Sequence, residues 1–123
     1  MATSTDLPTG RRFNEVIFVR LMSAAKASDS TEQAWLYLEA AHVFGQRRLK
    51  PHLQAHAHML GLAWRTGDWL EVAGQMLRLA LVPLGNLTGR LPLGNPGRSR
   101  VGAFKPLPVP PELADLIARA SDS

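Results

Sequence analysis

The sequence predicts an all-α domain: four main antiparallel helices in tetratricopeptide-like stacking, a Gly/Pro-rich segment wrapping them, and a short C-terminal helix. Three observations predict it. Apolar residues recur at three- and four-residue spacing from residue 11 to residue 82. Start and stop signals punctuate that stretch at Ser30, Gly45, Pro51, Gly67 and Asp68. Finally, "AWLYLEAAHV" aligns with "DWLEVAGQML" at a spacing of 34, matching Trp35 with Trp69, Leu36 with Leu70 and Val43 with Leu77. That is the period of tetratricopeptide helix pairs.

The first helix follows from Phe13, Val16, Ile17, Leu21 and Ala24 on one apolar line. Ser30 with Gln33 three later is a capping-box pattern that starts the second helix near Thr31. Gly45 is the natural end of that helix, because glycine accepts positive φ. "QRRLK" reads as the turn and Pro51 as the first residue of helix three, which runs to about Arg65. Gly67 breaks the chain, Asp68 caps helix four with Glu71 in the third position, and Pro83 closes it. Residues 83–110 read as irregular, with "PLGN" occurring twice and Phe104 as an apolar anchor. A short helix over residues 111–120 opens at Pro111 and buries Leu113, Leu116 and Ile117.

The 123 residues make one domain, with 46% hydrophobic and 20% charged residues, an ordinary globular balance. There is no cysteine, so disulfides and thiolate metal sites are excluded. A transition-metal site must then use His, carboxylate or Met, which suits zinc, nickel, iron or copper(II) better than copper(I). The formal charge of +4 is unevenly placed: Arg78, Arg90, Arg98, Arg100 and Lys105 fall between Glu71 and Glu112 with no acid among them. Such a segment suits phosphates; a solvated basic segment is the simpler reading, and nucleic acid is not the expected partner. "RRFNEVIFVRLMSAAKA" has the outline of a twin-arginine export signal, but Glu15 and Arg20 interrupt its apolar run. It reads as an amphipathic helix, and the protein as cytoplasmic, with no membrane-inserting stretch.

Chemistry concentrates in "PHLQAHAHML", where three of the chain's four histidines fall within seven positions. On helix three, Leu53, Ala57, Leu60 and Trp64 form the apolar line. His58 sits on the polar line with Gln54, Gly61 and Arg65, facing water. His52, His56, Met59 and Ala63 form a third line bordering the apolar one, so two histidines lean inward one turn apart. On helix two, Glu39 and His42 share a face. Counted outward from the turn, His42 comes level with His52 and Glu39 with His56. If the two stripes face each other, Glu39, His42, His52 and His56 converge, a grouping that helical bundles use for metal sites. Glu39 is either a fourth ligand or a carboxylate that orients one imidazole. Two other readings stay open: a structural polar network with Glu39 paired to Arg47, Arg48 or a histidine, and acid–base catalysis without metal. Glu71 is assigned to the helix cap.

The runs "LEAAHVFGQRRLKPHLQAHAHML", "GDWLEVAGQMLRLAL", "GNPG" and "AFKPLPVP" resemble the bacterial family of unknown function DUF3703. The likeness rests on Ala41-His42 with Gly45-Gln46, on His52 and His56 before Met59-Leu60, and on Asp68, Trp69 and Glu71. It continues through Gly94-Asn95-Pro96-Gly97 and the prolines 106, 108 and 110, covering roughly residues 31 to 117. His58 lies outside that pattern. Members of the family occur beside metal-resistance and metal-transport functions, so the resemblance implies a role near metals. The expectation is a small cytoplasmic metal-binding accessory rather than an enzyme, holding zinc, nickel or iron. A helical protein-interaction module with a structural polar cluster is the alternative, and a protein partner fits either.

Overall fold

The computed structural model describes residues 11–99, 101 and 105–122. Ser30 begins the second helix as its type dictates: its hydroxyl accepts the Gln33 N–H at 3.1 Å. Asn14 does the same for the first helix, accepting from Val16 and Ile17, and Asp68 for the fourth, accepting from Glu71. The resulting order is α1 (Glu15–Ala27), α2 (Thr31–Gly45), α3 (Leu49–Arg65), α4 (Trp69–Thr88) and α5 (Pro111–Asp122). No β-strand occurs among the described residues. Successive helices from α1 to α4 pack on one another, and α5 returns to α2 and α1. Phe18, Leu21, Trp35, Leu38, Phe44, Met59, Leu113 and Ile117 join in one core. Leu113 and Ile117 are buried in α5 as expected, and Leu116 packs partly buried against them.

Several local expectations change. On α1 the buried line is Phe18, Leu21, Met22 and Ala25, while Val16 is exposed; Phe13 and Ile17 pack at the core's margin. Gly45 is not at positive φ. A Cβ there would stand 2.8 Å from Pro51 Cβ and 3.0 Å from the Phe18 ring, so glycine serves a close approach of α1 and α3. Pro51 is the third residue of α3, still within the first turn where no N–H is required. Phe104 lies outside the described residues. The two copies of the 34-residue repeat meet different surroundings, with Trp35 buried and Trp69 exposed.

Two corrections shape the site. Pro83 does not close α4, which continues to Thr88 and ends at Gly89 with φ 73°. The missing proline N–H costs one ladder bond, and tertiary contacts of the following turn offset it. Among these, Asn86 donates to the Gln46 carbonyl at 3.2 Å. On α3 the stripe order is also inverted. His52, Ala55, His56, Met59, Leu62 and Ala63 are buried, whereas Trp64 and Ala57 are exposed. The helix turns its histidines inward and leaves its tryptophan in water, because α2, α4 and the loop after α4 converge on the histidine side.

Candidate metal centre

One turn of α3 places His52 above His56, and the last turns of α2 bring His42 opposite them. The His42 and His52 Nε2 atoms are 3.1 Å apart. Ring centroids stand 4.8 Å (42–52), 4.6 Å (42–56) and 5.0 Å (52–56) apart. One ring nitrogen from each lies within 4.8 Å of the others, and all three side chains are buried. A cavity of about 40 Å³ opens beside them, lined by Arg78, Val82, Leu91 and Gly97 among others.

The orientation of two of the rings, His52 and His56, is fixed from behind. His52 Nδ1 is 2.8 Å from Asn86 Oδ1, and Asn86 spends its amide N–H on the Gln46 carbonyl. His56 Nδ1 is 2.7 Å from Gln75 Oε1, and the Gln75 amide N–H groups go to Glu71 Oε2 (2.8 Å) and the Gly97 carbonyl (2.9 Å). Both amides therefore present an oxygen to the ring, and both rings answer with Nδ1–H. The Nε2 lone pairs are left for the centre of the cluster. This is the arrangement by which proteins orient metal-binding imidazoles. His42 Nδ1 is buried without a well-formed hydrogen bond, and the Asn95 backbone acts on that ring.

Burial sets the charge state. Desolvation first, then the neighbouring His56 and His52, push His42 well below its usual range. Desolvation lowers His52 against the Asn86 hydrogen bond, and it leads the fall of His56 to about 3. All three imidazoles are neutral at neutral pH and keep lone pairs to share.

The loop after α4 closes the site. Gly97, at φ 89°, lies against His42, where a Cβ would meet the ring at 2.9–3.0 Å. The Gln46 amide donates to the Pro92 carbonyl at 2.7 Å, and Asn95 ties the loop to the Lys105 carbonyl at 2.8 Å. Arg98 latches the loop to two helices. Its Nε donates to Glu71 Oε1 at 2.7 Å, and its guanidinium lies 3.7 Å from the Trp35 ring centroid. Burial works to raise the Glu71 carboxyl, but Arg98, Gln75 and the Ser99 N–H outweigh it and hold it below the usual range. Arg78 is buried too, donating to the Gly74, Arg98 and Val101 carbonyls. Two cations of the basic segment thus face inward.

Of the four residues expected at the site, His42, His52 and His56 come together. Glu39 lies outside that group: it is buried, and its Oε2 is 4.0 Å from Arg98. Glu71 receives the Asp68 cap through its backbone, while its side chain belongs to the loop latch. His58 faces away from the cluster and bonds the Gln54 carbonyl of its own helix. The sequence assigned no place at the site to Gln75 or Asn86, and it offered Gly97 only as part of a loop motif and Arg98 only as one cation of a basic segment. The one signal for Asn86 was the repeated "PLGN", whose two asparagines both meet the histidine cluster.

No helix among the described residues is long and apolar enough to cross a membrane. No curated protein and no solved structure matches the chain. The family model described as "Protein of unknown function (DUF3703)" matches residues 14–117, from the cap of α1 into α5 and across every residue of the histidine site, so the chain belongs to that family.

Proposed function

We propose that His42, His52 and His56 bind one divalent transition ion, zinc, nickel or iron, and that the protein serves metal handling or sensing in the cytoplasm rather than catalysis. One observation carries this reading: three buried, neutral imidazoles each bring a ring nitrogen within 4.8 Å of the other two, and two of the rings are held from behind by Gln75 and Asn86. Two imidazole nitrogens on one tetrahedral zinc stand about 3.3 Å apart. The 3.1 Å between His42 and His52 fits that spacing, and the wider separations close with ring movements of about 1 Å. Glu39 acts at one remove, holding Arg98 and through it the loop over His42. A structural polar cluster needs partners for its atoms, but it does not need three imidazoles crowded with their basic nitrogens together.

Metal content of the untagged protein, followed by zinc and nickel titration, tests the reading against His52→Ala, Glu39→Ala and His58→Ala. The expected result is one equivalent bound at micromolar or tighter affinity, lost in His52→Ala and unchanged in His58→Ala. Glu39→Ala retains the stoichiometry. No binding by the wild type, with His52→Ala merely less stable, would make the cluster structural.

A further inference from the structure

Helix α4 is built with its polarity reversed. Its charged residues Glu71 and Arg78 are buried, as is Gln75, all turned toward the histidine site and its loop. Its exposed face carries Leu70, Ala73, Leu77, Ala80, Leu84 and Leu87. These recur at alternating spacings of three and four, the seam of a coiled coil. The four leucines are 80%, 55%, 62% and 80% exposed in chain order, and Trp69 and Met76 beside them are 60% and 59% exposed. Together they present on the order of 800 Å² of apolar surface, more than the largest patch of an ordinary monomer and about one partner's share of a standard interface.

We infer that a second copy of this chain docks on this face, as a two-fold dimer with the α4 helices antiparallel. The side chains are complementary in size under that symmetry. A two-fold axis between Arg78 and Leu79 sets Leu77 against the partner's Ala80 and Ala73 against the partner's Leu84. Leu70 then meets the partner's Leu87 at each end. Each inner layer holds one large and one small residue, which fills the seam without crowding or voids. A parallel pair stacks Leu77 on Leu77 and Ala80 on Ala80, crowding one layer and leaving a cavity in the next. A lipid surface is a poorer occupant. Helices that lie on membranes carry Lys or Arg beside the apolar face, whereas Arg78, the one cation of α4, is turned inward.

Sedimentation velocity of the full chain over a micromolar concentration series reads the assembly directly. The expected species has twice the mass of the chain. Leu77→Glu weakens it about a hundredfold or more without loss of helical circular dichroism, since a carboxylate is left facing an apolar seam. Ala80→Leu also weakens the dimer, and the double variant Leu77→Ala/Ala80→Leu restores it by exchanging large for small within the layer. Because the chain has no cysteine, orientation follows from cross-linking. Leu70→Cys mixed with Leu87→Cys forms a disulfide dimer, and Leu70→Cys alone does not. A monomer at every concentration, a dimer indifferent to Leu77→Glu, efficient self-cross-linking of Leu70→Cys, or a monomer that instead cosediments with anionic phospholipid vesicles would each overturn the inference.

Discussion

Gln75 directs one histidine through an amide whose own orientation is settled by Glu71 and Gly97. Replacing it with Ala should lower metal affinity by roughly 10- to 100-fold while leaving stoichiometry at one, the usual cost of losing an orienting partner, and titration calorimetry reads this. Gly97 supports a sharper forecast. Gly97→Ala sets a methyl group against the His42 ring and strains a residue at positive φ. It should destabilise the fold by about 1–3 kcal/mol in urea unfolding and weaken metal binding together. The depressed basicities also predict how many protons binding displaces. Three ordinary histidines at pH 6 would release roughly two protons on ligation. Here burial lowers the basicity of all three rings, so binding should release fewer protons and the measured enthalpy should depend less on the buffer's ionisation heat. A release of two protons would mean that the rings titrate as exposed histidines do.

At the scale of elements, α2 and α3 were the legible part. Capping at Ser30, the i,i+4 spacing of His52 and His56, and equal distances from the turn sufficed to bring three histidines together. The inward phase of α3 was not legible. Leu53, Ala57, Leu60 and Trp64 make the more hydrophobic stripe, and only the arrival of α4 and its loop favours the histidine face. The last turn of α4 was hidden by Pro83, whose local cost is outweighed by contacts of Asn86 that no local rule contains. Arg98 likewise looked like one cation of a basic segment, although it joins α2, α4 and the loop through Trp35, Glu39 and Glu71. Arg98→Ala leaves buried carboxylates without that cation and should cost roughly 3–5 kcal/mol in urea unfolding. Arg98→Lys should recover little of it, because an ammonium group has no planar face for Trp35 and no Nε–H for Glu71.

For the whole molecule, the three histidines make stability depend on pH in one direction. Their folded values lie below the unfolded value of about 6.5, so the unfolded chain takes up protons first as the solution is acidified. Stability is fully present above that value and falls through the window down toward about 3, where His56 titrates in the folded state. Each such group contributes up to about 1.4 kcal/mol per pH unit inside the window. The thermal midpoint should be flat between pH 7 and 8 and drop steeply below pH 6, and His56→Gln should flatten that drop. A bound ion stabilises the folded chain by mass action, so zinc should raise the midpoint at any pH where it binds. In the proposed function, binding of one ion ties the polar interior together. It is tested most directly by diffraction from metal-loaded crystals, with data collected on both sides of the metal's absorption edge. The expected result is one anomalous peak among the ring nitrogens of His42, His52 and His56. No peak there, or a peak at His58 with the three buried rings unchanged, would contradict it.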